Sequence, residues 1–520
     1  MNKKAVSTGL FVLIILGALL FRLLLLDVRP MHHDEANQAV KFGNLLEKGE
    51  YRYDRNDHHG PSLYYLTLPF TWIFSGTTFA SITESTLRFV PVAFGIGFIL
   101  LLLLLKNGFS QRGILFAGLF AAISPCMVFY SRFYIQEMFF VFFILGAIAA
   151  GWRYTQSRSP GWAAAAGFFV GMMYATKETC IIAYGAIIGA LILTWASQSG
   201  PLRRRKPSSL PGIGHLFLFL GTAILVSFLL YSSFFQNPKG ILDSALAFAT
   251  YFSRAGEAGL HSHPWYYYLK MLAYSKYGTG PAWSESLILV LALVGGIAAF
   301  RVRSKTDSSP LFIRFILFYT LLSTAVYSLI PYKTPWNLLP FYIGFILLAG
   351  IGAVILIKSC KNLQFRYVII LVLGFGVLNL GFQSYRANFK FYADPRNPYV
   401  YAHTSTDFMN LIKRVQDIAS HHPDHNQMLI KVITHPDETW PLPWYLRSFG
   451  RVGYWQEVDA AGELADMPLI ISSIDKLNEL QPHLQNNYLS EYFGLRPEVL
   501  LAVHSRRDLW DDFMQKRQGR

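Results

Sequence analysis

The chain has 520 residues, of which 53% are hydrophobic and only 15% are charged, with a formal net charge of +15. Because soluble domains contain about 25% charged residues, this composition excludes a soluble enzyme and predicts a chain solvated mostly by lipid. The Lys and Arg residues lie in short clusters between apolar runs, so they indicate membrane topology and not nucleic-acid binding. The three cysteines are far apart and predict neither a metal centre nor a disulfide framework.

Eleven apolar runs predict membrane-spanning helices, which need about 20 residues each. They lie near residues 8–26, 86–105, 113–130, 134–152, 161–176, 180–196, 213–234, 285–300, 311–330, 336–357 and 367–383. The first run is too long for a typical signal peptide and no small-residue cleavage site follows it, so we expect a retained anchor helix. The segment 61–80 is apolar and aromatic but contains Pro69, and we expect it to lie on the membrane surface without crossing.

The segments between these runs alternate in charge when 61–80 does not cross. The basic segments lie near residues 3–4, 106–112, 153–158, 203–206, 301–305 and 358–366. Basic residues concentrate on the cytoplasmic side of membrane proteins, which predicts a cytoplasmic N-terminus and a non-cytoplasmic C-terminal tail in the cytoplasmic (inner) membrane. Every acidic residue except Asp307 and every histidine except His215 then falls on the outer side, so we expect the chemistry there.

The last part of the chain has a different character. From residue 384 charged residues, Pro and Asn return, and the apolar runs shorten to strand length at 428–434, 451–455, 469–473 and 499–504. Helix-like stretches at 407–419 and 474–480 separate them. This alternation predicts a small α/β domain over residues 384–520, behind a polytopic α-helical membrane domain over residues 1–383 with large outer loops at 27–83 and 235–284.

Titratable residues mark both ends of the first outer loop. Residues 32–35 read His-His-Asp-Glu, and carboxylates at a membrane boundary are costly unless they are hydrated or used in function. The alternative is that Asp34 caps a helix over residues 35–47, where an acid suits the helix dipole. The loop ends in Asp-His-His-Gly-Pro at 57–61, which is either a divalent-cation ligand set or a polar turn.

Three further outer turns carry a cation at a helix end. They contain Arg132 and Glu137, Lys177 and Glu178, and Tyr332 and Lys333. A lone Lys or Arg can snorkel to lipid head groups, but three of them on the side that disfavours cations favour one binding site for a phosphate or diphosphate. The loop 235–284 adds His261 and His263 before an aromatic run, which fits a metal ligand, sugar stacking or an interfacial aromatic belt.

The order of these motifs resembles a known superfamily. Asp-Glu at 34–35 is followed by His-Gly-Pro at 59–61, Leu-Arg-Phe-Val-Pro at 87–91, Ser-Pro at 124–125, Thr-Lys-Glu at 176–178 and His-Ser-His-Pro-Trp-Tyr-Tyr at 261–267. This order resembles the GT-C glycosyltransferases of the protein mannosyltransferase and aminoarabinose transferase group. The stretches 331–337 and 439–445 are similar, more narrowly, to the bacterial and archaeal "flippase activity-associated" membrane proteins of that superfamily.

The resemblance implies a GT-C-like fold and an inverting glycosyltransferase without a nucleotide cofactor. Such an enzyme transfers a hexose or pentose from a polyprenyl-phosphate donor to a glycan, lipid or protein acceptor at the outer face of the membrane. It implies Asp34 as the general base, with Glu35 as its neighbour or substitute. The sugar, the acceptor and the oligomeric state do not follow from the sequence.

The resemblance also implies the roles of the remaining site residues. Arg132, Lys177 and Lys333 would hold the lipid phosphate, and Glu137, Glu178 and Tyr332 would support them. A divalent metal ion would bind His59 together with His261 or His263. The chain departs from the family here, because Gly60-Pro61 replaces a common Pro-Pro pair and His59 replaces the commoner acid.

Two readings from other functional classes compete with the transferase. A transporter or flippase-associated component would bind a lipid-linked sugar without chemistry, and it would carry charged or broken helices near the bilayer midplane. The predicted helix interiors hold almost no ionisable groups, which disfavours transport. A structural assembly partner, whose tail domain binds glycan beside a decayed site, is the third reading.

Overall fold

The computed structural model describes residues 3–56, 59–198, 212–255, 261–301, 308–484 and 487–518. Each of the eleven predicted apolar runs forms helix within these residues. The helices that cover the runs are Lys3–Leu23, Glu84–Leu101, Gln111–Ile123 with Pro125–Ser131, Glu137–Ser157, Pro160–Tyr174, Cys180–Ala196, Ile213–Tyr231, Ser286–Arg301, Pro310–Leu329, Leu339–Ser359 and Leu363–Tyr385. The predicted basic segment at 203–206 lies outside the described residues.

Among the described residues, seven helices are long and apolar enough to cross a membrane. The count becomes eight if the bent pair Gln111–Ile123 and Pro125–Ser131 is one span, and Cys180–Ala196 and Ser286–Phe300 are shorter apolar helices. The 15-residue helix Pro160–Tyr174 covers the one remaining predicted run. The polytopic helical fold is therefore confirmed, while the number of eleven crossings stays a prediction.

The bend in the third run has a local cause. Pro125 occupies the first turn of the second helix, and the Ser124 hydroxyl caps it by accepting from the Met127 amide at 3.2 Å. The two axes meet at 62°. Proline at the start of a helix leaves no donor unsatisfied, so the sequence Ser-Pro restarts the helix in a new direction. The restarted helix carries the chain to the outer turn that holds Arg132 and Glu137.

The first loop that the sequence places outside contains two helices, His33–Lys48 and Ser62–Phe74. The second has 13 residues, and at 1.5 Å per residue it is roughly 20 Å long, too short for a hydrocarbon core of about 30 Å. This length agrees with the prediction that the segment does not cross. The outer loop between residues 235 and 284 contributes Lys239–Ala255 and Tyr267–Ala273.

Glycines allow close approach between helices inside the bundle. A Cβ atom on Gly295 would lie 2.1 Å from the Leu348 carbonyl oxygen, and one on Gly352 would lie 1.9 Å from that of Leu291. Helices Ser286–Arg301 and Leu339–Ser359 therefore pack backbone to backbone. Small residues at helix contacts are the usual means of association in lipid, where apolar burial supplies little driving force between helices.

A fully buried carboxylate joins the bundle to the segment that follows its last helix. Glu285 accepts hydrogen bonds from the Ser124 hydroxyl at 2.6 Å, the Cys126 amide at 2.9 Å and the Tyr399 hydroxyl at 2.6 Å, and also from the Tyr342 hydroxyl. Four donors satisfy the two oxygens. Residues 386–404 are thereby anchored beside the outer helix ends before the chain enters the C-terminal region.

The C-terminal region contains a five-stranded mixed sheet, which confirms the predicted α/β character. The strands are β1 (Ile430–Ile433), β2 (Val452–Trp455), β3 (Leu469–Ser473), β4 (Tyr488–Arg496) and β5 (Val499–Arg506), in the order β2-β1-β3-β5-β4. The first three are parallel, and β5 is antiparallel to both β3 and β4. The sequence predicted β1, β2, β3 and β5 but missed β4.

Helices cover both faces of this sheet. One face packs against Phe408–His421, Leu442–Tyr445 and Arg507–Gln518, and its core includes Leu411, Val432 and Leu501. The other face packs against Leu477–Leu484 and the segment after β2, through Val458, Ala461 and Leu480. The connection from β1 to β2 therefore runs over one face, and the connection from β2 to β3 runs over the other.

Candidate active site

One cavity of about 540 Å³ lies among the helix ends on the predicted outer side. Its polar lining residues are Asp34, Gln38, His59, Gln136, Glu137, Lys177, Glu178, Thr179, Thr334 and Asn337. Its apolar and aromatic lining residues are Ile135, Ile181, Ile182, Phe248, Tyr251, Phe252, Val326, Tyr327, Ile330, Tyr332 and Trp336. The cavity thus brings together residues from five segments that are far apart in the sequence.

Asp34 lies at the start of the helix His33–Lys48 and presents its carboxylate to this cavity. Its side chain is 42% exposed. The capping alternative for Asp34 is wrong, because His32 is the N-cap residue: its Nδ1 accepts from the Asp34 amide at 3.0 Å. Since His32 satisfies the helix end, the Asp34 carboxylate is not needed there and stays available to a ligand.

Glu35 points away from the cavity into the protein. Its side chain is fully buried and accepts from Arg88 Nε at 2.8 Å, Arg88 Nη2 at 2.7 Å, the Tyr134 amide at 2.9 Å and the His32 amide at 3.1 Å. Burial alone raises the pKa of Glu35, but Arg88 and Arg29 outweigh it and lower the pKa to about 2. The two neighbouring carboxylates therefore occupy different environments, and only Asp34 can reach a substrate in the cavity.

Lys177 enters the cavity from the turn between Pro160–Tyr174 and Cys180–Ala196. The side chain is buried, and Nζ lies 2.5 Å from Glu137 Oε1 and donates to Asn337 Oδ1 at 2.9 Å. Among the lining residues that the structure describes, Lys177 is the only Lys or Arg. Its two partners come from different outer turns, so this one side chain connects three of the segments that form the cavity.

Glu178, next in the chain, organises a second polar cluster. Its Oε1 accepts from the Tyr53 hydroxyl at 3.1 Å, and its Oε2 lies 2.7 Å from His59 Nδ1. The same His59 nitrogen lies 2.9 Å from the Tyr251 hydroxyl. Burial, followed by the charge of Glu178, raises the pKa of Tyr53, so the phenol stays protonated as a donor. The cluster fixes the end of the first loop against the turn at 177–179.

Arg132 does not reach the cavity, which corrects the expected convergence of three cations on one pocket. Its guanidinium donates to the carbonyl oxygens of Phe21, Arg22, Leu24 and Leu25 at 2.6 to 3.1 Å. The last carbonyls of a helix have no intrahelical donor, and Arg132 satisfies those at the end of Lys3–Leu23. The geometry therefore gives no support to a contact between Arg132 and a phosphate.

Lys333 is also directed at backbone, although its neighbours Tyr332 and Thr334 line the cavity. Its Nζ donates to the His263 carbonyl at 3.0 Å and to the Ile330 carbonyl. The Lys333 amide donates to the His261 carbonyl at 2.8 Å, and the His263 amide to the Pro331 carbonyl at 3.1 Å. The two outer loops thus form a short antiparallel pairing, which Lys333 closes, and burial lowers the pKa of Lys333.

The histidines at 261 and 263 lie in this paired segment and not among the lining residues of the cavity. His261 Nδ1 lies 2.7 Å from the Tyr401 hydroxyl, and its ring is 4.9 Å from that of Tyr332. Burial lowers the pKa of His261, and the Asp34 carboxylate acts in the opposite direction. His263 stacks on Tyr267 at 4.2 Å.

The predicted metal site can be compared with these positions. Within the described ranges, no group of three His, Cys, Asp or Glu side chains is arranged to hold a metal ion. His59 and Glu178 supply two potential ligands, while His261 and His263 contact aromatic rings instead. Asp57 and His58 lie outside the described residues. Metal binding by His59, His261 and His263 stays a prediction.

Several residues that position the site were not predicted. Arg88, fully buried, holds Glu35 and donates to the carbonyls of Leu26 and Arg29, each at 2.7 Å. The signal was available, because an arginine within an apolar helix is costly and marks a specific partner. Tyr401 gave no such signal. It contacts the cavity rim only because residues 386–404 fold back onto the outer loops, which no local pattern reveals.

Part of the chain matches a known protein family. Residues 58–225 match the family model described as dolichyl-phosphate-mannose-protein mannosyltransferase. That segment contains His59, Glu137, Lys177 and Glu178 of the cavity. No curated protein matches the chain.

Solved structures of membrane glycosyltransferases share the fold over nearly the whole chain. ArnT from Cupriavidus metallidurans bound to undecaprenyl phosphate is 15% identical, with a TM-score of 0.62, over 95% of this chain and 98% of ArnT. The apo state of the same protein gives 16% identity and a TM-score of 0.63 over 96% and 98%.

A third match comes from the archaea. The oligosaccharyltransferase AglB from Archaeoglobus fulgidus, in complex with an inhibitory peptide and a dolichol-phosphate, is 11% identical, with a TM-score of 0.55, over 95% of this chain and 74% of AglB. Identities this low establish the fold, and the family model matches about a third of the chain. The chain thus shares the fold of ArnT and AglB, which confirms the GT-C-like fold that the order of its motifs predicted.

Proposed function

We propose that this protein transfers a sugar from a polyprenyl-phosphate donor to an acceptor hydroxyl at the outer face of the cytoplasmic membrane, with Asp34 as the general base. One observation carries the proposal: a single cavity holds the Asp34 carboxylate, the Lys177 ammonium and an apolar wall. A lipid-linked phosphosugar needs all three, namely a base, a cation and an apolar surface for the lipid.

The apolar wall supplies the place for the polyprenyl chain. It is formed by Ile181, Phe252, Val326 and neighbours on the helices Cys180–Ala196, Lys239–Ala255 and Pro310–Leu329. Phe252 is 65% exposed, Ile181 47% and Val326 39%, although all three line the cavity. Apolar side chains that are exposed at a helix end face lipid in a membrane protein. A polyprenyl chain can therefore enter from the bilayer without its isoprene units crossing water.

The chemistry follows from the position of the two charged groups. Asp34 takes the proton from the acceptor hydroxyl as that oxygen bonds to the anomeric carbon. The bond from the anomeric carbon to the phosphate oxygen then breaks and polyprenyl phosphate leaves. Lys177 stabilises the negative charge that develops on the leaving phosphate. A single displacement of this kind inverts the anomeric configuration.

Glu35 and Arg132 have positioning roles in this proposal. Glu35, fixed by Arg88, holds the turn between the first helix and the helix that carries Asp34. Arg132 closes the end of Lys3–Leu23. Neither side chain lines the cavity, so neither needs to contact the donor.

The charge of the cavity bears on the predicted divalent cation. The described lining residues include the carboxylates of Asp34, Glu137 and Glu178 against the single ammonium of Lys177. A phosphate adds further negative charge, so a cation bound with the donor would offset repulsion. His59 and Glu178 would contribute to its coordination, and such an ion would add positive charge at the leaving phosphate.

Activity is tested by incubating the purified full-length protein with a panel of polyprenyl-phosphate sugars and measuring the release of polyprenyl phosphate. We expect release from at least one donor, increased by a hydroxylated acceptor. Binding of a donor without release would favour the alternative, a lipid-linked-sugar binding or flippase-associated component. The readout separates the two because only chemistry breaks the bond between sugar and phosphate.

Replacing Lys177 with Met is expected to lower kcat/KM for the donor about 10- to 100-fold, because a charge-assisted hydrogen bond contributes roughly 1.5–3 kcal/mol. Steady-state kinetics on the donor that the panel identifies would measure this. Lys177→Arg keeps the charge and should recover most of kcat/KM. Lys239→Met is the matched control, since that side chain is 80% exposed. An unchanged kcat/KM in Lys177→Met would contradict the role.

The native residue Cys360 can report the orientation of the protein in the membrane. Cys126 and Cys180 are buried, whereas Cys360 is partly exposed between the helices Leu339–Ser359 and Leu363–Tyr385, in the predicted cytoplasmic segment. In right-side-out vesicles, a membrane-impermeant maleimide should label Ser420→Cys in the C-terminal region and leave Cys360 unmodified until the vesicles are permeabilised. Labelling of Cys360 from outside would reverse the topology.

A further inference from the structure

The C-terminal sheet contains a topological switch point between β1 and β3. After β1 the chain turns to the face covered by Leu442–Tyr445, and after β3 it turns to the opposite face covered by Leu477–Leu484. The strands are parallel neighbours, paired from Ile430 with Leu469 to Ile433 with Ser472. Connections that leave adjacent strands toward opposite faces open a crevice at their carboxyl ends. Ligands of open α/β sheets bind in this position.

Polar side chains from both strand ends meet at this crevice. His435, two residues after β1, places Nε2 2.5 Å from Asp475 Oδ2, two residues after β3. The His435 amide donates to the Ser473 hydroxyl oxygen at 3.1 Å. The side chains of His435 and Asp475 are 43% and 55% exposed, so both can bind a ligand from solvent. The described core of the domain does not require the pair, because it is formed by apolar residues on both faces.

The loop after β1 connects the crevice with the segment that holds Asp34. Residues 435–439 form a compact turn, in which the Glu438 and Thr439 amides donate to the His435 carbonyl at 2.9 and 3.0 Å. Trp440 follows, and its ring centroid lies 6.2 Å from that of His33, the residue before Asp34. The next helix is held to the same loop, since the Met31 amide donates to the Tyr445 hydroxyl at 2.9 Å. The chain that leaves the crevice after β1 therefore reaches the residue before Asp34.

We propose that this crevice, with His435 and Asp475 at the two strand ends and Trp440 on the loop after β1, binds a neutral oligosaccharide that serves as the acceptor of the transferase. The proposal rests on the proposed function and names its acceptor class and the subsite that holds it. A carboxylate beside an imidazole can accept and donate hydrogen bonds to adjacent sugar hydroxyls. The half-buried indole of Trp440 offers an apolar face to the C–H surface of a sugar ring.

The distribution of charge decides between this ligand and others. Acids and cations alternate at the crevice. Asp475 pairs with His435 and is followed by Lys476, and Asp437, next to Glu438, accepts from Arg496 Nη2 at 2.7 Å. The charges nearly balance, so neither an acidic nor a basic ligand is favoured there. The protein presents polar groups and one aromatic ring in place of an extended apolar surface. Such a surface suits a neutral polyol better than a lipid or an apolar peptide.

Binding is tested with the full-length protein in detergent by isothermal titration calorimetry against a set of linear neutral hexose trisaccharides of different linkage. We expect at least one to bind, and we expect His435→Gln with Asp475→Asn, or Trp440→Ala, to weaken that binding at least 10-fold. His422→Gln is the matched control, because His422 also pairs with an acid, Asp424, at 4.0 Å. This pair lies in the segment before β1, at the other end of that strand. The control should bind as the wild type does.

Kinetics then connects the subsite to the reaction. In the donor-release assay the trisaccharide that binds should act as acceptor, and the double variant should raise the acceptor KM at least 10-fold with the donor KM unchanged. Binding of none of the trisaccharides, or equal binding by the double variant and the wild type, would overturn the inference. Donor release without any trisaccharide effect would also overturn it while leaving the proposed function intact. A wild-type protein that binds trisaccharide but releases no lipid phosphate would contradict the proposed function instead.

Discussion

Replacing Asp34 with Asn is expected to lower the rate of sugar transfer by about 10²- to 10⁴-fold, the usual contribution of a general base. The amide is nearly isosteric with the carboxylate, and the helix start does not depend on it, because His32 forms the cap through its own side chain and Glu35 completes the capping box. We therefore expect expression, thermal stability and donor affinity close to those of the wild type. The release of polyprenyl phosphate in the presence of acceptor measures the effect.

Two comparisons make this test specific to Asp34. Asp54→Asn alters an acid of the same outer loop whose carboxylate accepts from the Asn56 amide at 2.9 Å and does not line the cavity, so it should leave the rate unchanged. Transfer at the wild-type rate by Asp34→Asn would reject Asp34 as the base. Since Glu35 is buried and paired with Arg88, it offers no replacement carboxylate to the cavity in that variant.

The helical fold could be predicted because the length of an apolar run is set by the thickness of the bilayer. Each run became helix for that reason, even where a proline bends it. In the C-terminal sheet β3 was predicted because it is buried throughout, from Leu469 to Ser473. Strand β4 was missed because it is an edge strand, from Tyr488 to Arg496, whose partly exposed residues include Ser490 and Glu491. A charged edge strand lacks the apolar pattern that identifies a buried one.

The sequence predicted less of the candidate site than of the fold. The turn at 177–178 placed both of its charged residues in the cavity because a turn of this length leaves its side chains near the helix ends. Arg132 and Lys333 sit in turns of the same kind, yet they satisfy backbone carbonyls. The sequence shows that a cation lies at a helix end. It does not show which backbone carbonyls will accept from that cation, because this depends on which other helix end packs beside it.

Replacing Glu35 with Gln is expected to destabilise the folded protein by roughly 3–5 kcal/mol, because the guanidinium of Arg88 then stays buried without a counter-charge. Both side chains have no exposed surface. The measurement is the free energy of unfolding in mixed detergent micelles. Asp394→Asn is the matched control, because its pair with Arg396 at 2.6 Å is partly exposed and should contribute less than about 1 kcal/mol.

A double-mutant cycle with Arg88→Met separates the pair from its surroundings. Arg88→Met leaves Arg29, 3.7 Å from Glu35, as the remaining cation beside that carboxylate, and Glu35→Gln leaves both arginines without it. The interaction between Arg88 and Glu35 is lost in each single variant but only once in the double variant, so the two single effects should sum to more than the double effect. Arg88 also donates to the carbonyls of Leu26, Arg29 and Pro30, and these lose their donor in both variants that lack it. The double variant is therefore expected to remain less stable than the wild type. Additive effects would show that the two charges do not depend on each other.

The pH dependence of the free energy of unfolding is an independent test of the pair between Glu35 and Arg88. Burial acts to raise the pKa of Glu35, but Arg88 and Arg29 lower it from 4.5 to about 2, so the folded state favours the ionised carboxylate. Stability from this source is present above about pH 4.5 and is lost as the pH falls toward 2, because the unfolded state then binds the proton first. Glu35→Gln should remove this part of the acid dependence and leave the rest. If its unfolding free energy keeps the wild-type slope between pH 4.5 and 3, the turn before Asp34 is held by the backbone hydrogen bonds of Arg88 and not by the ion pair.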